Sequence, residues 1–204
     1  MFLSQPGIPR DRVLPQTARG PSGNPAGKTT GKGTKVAEEV DYEDLTSMRL
    51  DDAELEKLLA GGGECVFNWT TSEGYPVGVV VAFLYRGGKF FTTCAEQRKR
   101  VPALRKRAQS AVVINQNGKT ASFKGDSIVH ANGDPGFDEL KSWFYPELSG
   151  TTADPEDDYK QAFAKFLDSP HRVIIETDAR LVVAFDAVKF RSFTNEAIAA
   201  GHAS

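Results

Sequence analysis

The spacing of apolar residues changes along the chain and divides it. Leu50, Leu55, Leu58 and Leu59 recur at helical intervals, which predicts one buried helix face after Asp51. Asp51 followed by Glu54 has the spacing of a capping box, and Gly61-Gly62-Gly63 ends the helix. The pattern then turns to strands. Residues 64–71, 76–85 and 89–94 are short β-rich runs separated by Ser72-Glu73-Gly74 and Gly87-Gly88, which argues a meander. Residues 102–109 read as a short helix, with Pro102 suited to its first turn. Residues 110–116 and 119–130 flank Asn117-Gly118, a strong hairpin signal. Helices over 136–145 and 155–167 form an insert, and strands over 171–177 and 181–193 close the chain. That makes six or seven antiparallel strands around a few helices. A small barrel is the natural closure, because it leaves no exposed edges.

This pattern is confined to the middle of the chain. Residues 1–35 carry Pro, Gly, Thr and Lys and almost no large apolar side chain, the composition of a tail. Either it is a plain leader, or it is an arm that wraps a partner subunit or holds an acidic surface. The predicted organisation is a tail over 1–40, a barrel domain over 45–195 with a helical insert at 134–169, and a second tail over 196–204. Of the 204 residues, 40% are apolar and 25% charged, enough for a core. No apolar run reaches the length of a membrane span, and residues 1–12 lack the apolar stretch of a secretory signal. Cys65 and Cys94 make no disulfide framework or CxxC pair, which fits the cytoplasm. His130, His171 and His202 lie too far apart for metal-ligand spacing.

Charge sharpens the picture. The net charge is −2, so the chain is not a general nucleic-acid binder. Residues 1–35 nonetheless hold six basic residues against the single acid Asp11, and residues 134–158 are acidic. A compact cationic spot, Arg98-Lys99-Arg100 and Arg105-Lys106-Arg107, lies inside the folded part. It follows the strand that carries Thr92 and Thr93 and starts the predicted helix. A strand with two hydroxyls, a turn and then cations at a helix start is an arrangement suited to phosphate. The plainer reading is a solvated basic helix face. Asp154-Pro155-Glu156-Asp157-Asp158 reads as a solvated helix start.

Several segments together resemble a family. Gly74-Tyr75-Pro76-Val77, Gly87-Gly88-Lys89-Phe90-Phe91-Thr92-Thr93, Arg98-Lys99 through Leu104, and Phe123-Lys124-Gly125 are similar to the pyridoxamine 5′-phosphate oxidase-like superfamily. That group includes flavin- and deazaflavin-dependent oxidoreductases. The resemblance spans residues 51–193. It implies a mainly β (α+β) fold, a six-stranded antiparallel split β-barrel of FMN-binding type with peripheral helices. It also implies a homodimer with two cofactor sites at the interface and a small-molecule substrate. Cofactor-ring contacts would fall on Gly78, Val79 and Val80, and phosphate contacts on Thr92, Thr93, Arg98 and Lys99. Arg100 is a further candidate, because the paired basic positions match with an ambiguity of one residue. Gln97 stands where the family has a serine, and the arginine-rich C-terminal segment of true pyridoxamine-phosphate oxidases is missing from Ala199-Ala200-Gly201-His202-Ala203-Ser204. FMN is the favoured cofactor, with the deazaflavin coenzyme as the alternative. No side chain stands out as an acid or base, so no catalytic residue and no metal is assigned. Trp143-Phe144-Tyr145 either roofs the cofactor ring or packs the insert onto the barrel. The rival function is a flavin- or haem-binding module without turnover.

Overall fold

The computed structural model describes residues 45–199. The tail expected over 1–40 and residues 200–204, with His202, lie outside them. A 3-10 turn at Thr46–Met48 precedes helix α1 (Asp52–Ala60). Asp51 caps α1: its carboxylate accepts from the Glu54 amide at 2.7 Å while the Glu54 carboxylate accepts from the Asp51 amide at 3.1 Å. Strands β1 (Gly63–Thr70), β2 (Pro76–Arg86) and β3 (Lys89–Ala95) follow, then helix α2 (Arg100–Lys106) and strands β4 (Gln109–Gln116) and β5 (Lys119–His130). Asn117 and Gly118 both take positive φ, 52° and 76°, the conformation that two-residue hairpins require. Helices α3 (Phe137–Ser149) and α4 (Asp158–Leu167) form the insert, and β6 (Arg172–Asp186) and α5 (Ala187–Ala199) end the described chain.

Six strands close into an antiparallel barrel in the order β1-β2-β3-β6-β5-β4. The end of the chain differs from the predicted pair of strands. Residues 172–186 form one strand that pairs with both β3 and β5, with a bulge opposite Ser122 and Phe123. The extra residue of the bulge is Val182, whereas Ala179 and Arg180, where the sequence reads as a break, stay in regular register with Gly125 and Lys124. Residues 187–193, expected as strand, are helical. Asp186 is the reason: its buried carboxylate accepts from the Val188 and Lys189 amides at 2.8 and 3.1 Å and so caps α5. That helix extends to Ala199, past the boundary expected at 195, with Ala197 buried. Helix α3 likewise runs through Pro146 to Ser149, and the Pro146 carbonyl accepts from the Ser149 hydroxyl at 3.1 Å and the Thr152 amide at 3.2 Å.

Two apolar clusters hold the fold. Inside the barrel, Phe67, Phe83, Phe90, Val112, Ile114 and Ile175 are fully buried with Phe123, and the Phe90 ring meets Phe123 edge-on at 4.9 Å. Outside it, α3 and α4 cover the outer face of β3 and β6. Phe91 and Ile174 pack there against Phe137, Phe144, Tyr145 and Leu167. Trp143 stands edge-on to Phe91 at 5.1 Å, with the Arg86 guanidinium 4.5 Å from the indole centre. The insert aromatics therefore pack the insert onto the barrel. The opposite outer face has no such cover among the described residues. Val80, Val66, Val113, Ser122 and Val183 stand in register across five strands, with Val80 59% and Val183 42% exposed.

Candidate functional site

Helix α2 sets the site. Val101 and Leu104 are buried in the barrel core, which fixes the rotation of the helix and sends its basic residues to two flanks. On one flank, Lys99, Pro102, Ala103 and Lys106 recur at helical spacing. With Arg107 they line a cleft of about 450 Å³. The opposite wall is Trp69 at the end of β1 and Thr71, Ser72 and Glu73 of the β1–β2 turn. Arg107 donates from Nη2 to the Thr70 carbonyl at 3.1 Å, while its buried Nε has no hydrogen-bond partner. Lys99, Lys106 and Arg107 form no ion pair among the described residues, and Glu73 is the one acid in the lining. The volume lies in the range of small-molecule sites, and the cation set suits a phosphate or carboxylate.

On the other flank, the cations of Arg100, Arg172 and Arg98 lie close enough to act on the Cys94 thiol. Burial still dominates and pushes the Cys94 thiol up. Cys65, deeper in the core, is pushed up to about 12 by burial alone. Neither cysteine is poised as a thiolate. Arg105 belongs to neither set, since it pairs with Glu96 at 3.0 Å.

The structure thus brings together only part of the set expected from sequence. Lys99 lines the cleft, whereas Arg98 and Arg100 do not. Thr92 is buried inside the barrel wall, and the Thr93 hydroxyl donates to the Val173 carbonyl at 2.8 Å under the insert. Neither hydroxyl lines the cleft. Above Thr93, burial pushes the Tyr145 phenol up to about 12. Gly78, Val79 and Val80 lie on the half of β2 that pairs only with β1; pairing with β3 begins at Leu84. One edge of β2 over residues 77–83 therefore carries no strand. Val79 is half-buried, while Gly78 and Val80 are exposed on the outer face. Gly78 has to be small: a Cβ there would lie 2.5 Å from Asn68 Oδ1 and 2.9 Å from Val66 Cγ1. Sequence reasoning missed Trp69, Thr71, Ser72 and Glu73. The signal for the helix side was present, because residues 99, 102, 103 and 106 share one helix face.

Among the described residues no helix is long and apolar enough to cross a membrane, and no group of three or more metal-binding side chains occurs. The fold is a six-stranded split barrel with peripheral helices, as the family resemblance implied. A conserved hypothetical protein from Mycobacterium tuberculosis has a similar structure, with a TM-score of 0.54 and 13% identity over 70% of this chain and 89% of its own. A putative pyridoxamine 5′-phosphate oxidase from Listeria innocua is similar at TM-score 0.44 and 16% identity, over 64% and 96%. The haem storage protein HutZ from Vibrio cholerae is similar at 0.48 and 10%, over 68% and 98%. At 13% identity the first of these likenesses concerns fold alone. No family model and no curated protein matches the sequence.

Proposed function

We propose that this chain is a cofactor-dependent oxidoreductase of the cytoplasm. It holds FMN, or alternatively the deazaflavin coenzyme, at the interface of a twofold homodimer and serves a small organic substrate. The observation that carries this reading is the cationic cleft between α2 and the β1–β2 turn, with the unpartnered Nε of Arg107 in its lining. Lys99, Lys106 and Arg107 would hold the phosphate. Trp69, Pro102 and Ala103 supply flat and apolar surface that excludes water. Arg98 and Arg100 flank the site from the far side of α2. The free edge of β2 at Gly78, Val79 and Val80 starts beside the cleft and offers backbone amides and carbonyls to a flat ring. When bound, the cofactor supplies hydride or electron transfer. The uncovered valine row supports the dimer, because an exposed apolar face of this kind marks an association surface.

The absorbance spectrum of the purified protein, followed by titration with FMN and with the deazaflavin coenzyme, tests the reading. Charge-assisted hydrogen bonds contribute roughly 1.5–3 kcal/mol each. Lys99→Ala with Lys106→Ala should therefore raise the Kd by about two to four orders of magnitude, with the melting temperature unchanged. Arg98→Ala with Arg100→Ala should have a smaller effect. A colourless protein that binds neither cofactor overturns the proposal, and one that takes up haem without redox turnover supports the binding-module alternative.

A further inference from the structure

Helix α4 carries an aromatic ridge that the barrel does not use. Tyr159, Phe163 and Phe166 lie at spacings of four and three residues and so share one helix face. Their rings follow one another at 6.4 and 6.3 Å, each pair only 15° from parallel. Phe163 is partly buried against the insert core, but Tyr159 and Phe166 are 77% and 62% exposed. The ridge has a polarity. At the Tyr159 end stand Glu156 and Asp158, which form no ion pair among the described residues, and Asp157, whose carboxylate caps α4. At the Phe166 end, the Arg172 guanidinium lies 4.9 Å from the ring centre.

This surface selects its ligand by chemistry. Near-parallel exposed rings accept flat or pre-organised apolar groups, with proline rings the commonest such side chain in peptides. The acids at one end oppose a phosphate backbone and attract a cation. A proline-rich segment followed by arginines fits both demands. The chain contains one outside the described residues: Gln5-Pro6-Gly7-Ile8-Pro9-Arg10-Asp11-Arg12. Two prolines three residues apart are separated by about 9 Å in a polyproline helix. The helical rise from Tyr159 to Phe166 is about 10.5 Å. The 35 residues between Pro9 and Leu45 reach at most about 126 Å, well beyond the width of a domain this size.

We propose that residues 5–12 dock on the α4 ridge of the same chain, with Pro6 toward Phe166, Pro9 toward Tyr159, and Arg10 and Arg12 toward Glu156 and Asp158. The aromatic ladder together with the unpaired acids carries this inference, which does not depend on the cofactor reading. It gives the N-terminal segment an acidic, aromatic surface to hold.

Paramagnetic broadening in the full chain tests it. A nitroxide on Ser4→Cys labels one site, because Cys65 and Cys94 are buried. In isotope-labelled protein, the amides of residues 158–167 should lose more than half their intensity relative to the reduced label. Tyr159→Ala with Phe166→Ala should restore those intensities without changing the melting temperature, since both side chains are exposed. Glu156→Lys with Asp158→Lys should restore them in part. Absence of broadening on α4, or broadening that survives the double alanine variant, overturns the proposal. So does broadening that appears only when labelled and spin-carrying chains are mixed, because the contact would then lie between molecules.

Discussion

The two outer faces of the barrel are built from similar apolar side chains and treated in opposite ways. The β3–β6 face, with Phe91 and Ile174, is sealed by the chain's own insert through Phe137, Phe144, Tyr145 and Leu167. The face that carries Val80, Val66, Val113 and Val183 is left open. A strand can bury its inward side in the barrel and still present an outward apolar side that needs a second layer. Here 36 residues of insert, 134–169, supply that layer once. The other face is available to a second copy, and the cationic cleft lies by a free edge of β2 rather than under the insert. Closure by the insert also explains why Thr93, which reads as a ligand donor, is spent on the Val173 carbonyl.

Removing the centre of the cover should have the largest effect. Phe144 is fully buried, so Phe144→Ala should destabilise the fold by about 3–5 kcal/mol, measured by urea unfolding. On the open face, Val80→Lys should leave the unfolding midpoint of the monomer nearly unchanged but abolish dimerisation in light scattering. Equal destabilisation by the two substitutions would erase the contrast. A smaller change lies beneath the cover. Thr93→Val removes one donor to a backbone carbonyl and should cost about 1 kcal/mol with no loss of FMN affinity. Lost affinity would return Thr93 to the site.

The smallest effect separates a cover held by packing from one held by charge. Glu54 of α1 accepts from Lys119 of β5 at 2.9 Å and from Lys189 of α5 at 2.8 Å. Those bonds, with the Asp51 amide, hold its carboxyl down at about 2. A depressed folded-state value means the contribution is complete above about 4.5 and is lost as the pH falls from there toward about 2. The melting temperature of the native protein should fall through that window more steeply than that of Glu54→Gln. Parallel curves would mean that α1 and α5 are held by packing, as α3 and α4 are.

Local chemistry determined much of this architecture directly. The Asp51–Glu54 box, the Asn117-Gly118 turn and the β-rich runs of β1 to β5 between turn signals act between near neighbours, so each is legible in a short window of sequence. A small barrel follows from that meander, which left its strand number at six or seven. The continuity of β6 was not legible, because the register of Ala179 and Arg180 is held by the partner strand β5, where Gly125 leaves room for the Asp178 carbonyl. The helical end of the chain depends on Asp186, whose role as a cap appears only when the following backbone turns under it. The site divides in the same way. A run of cations marked α2 as a candidate anion-binding element, but adjacent residues on a helix point about 100° apart. Which of them meets the cleft is set by burial of Val101 and Leu104 against the core. Tertiary packing therefore separated Lys99 from Arg98 and Arg100, turned Thr92 inward, and brought Trp69 and Glu73 from a distant hairpin to face Lys106 and Arg107.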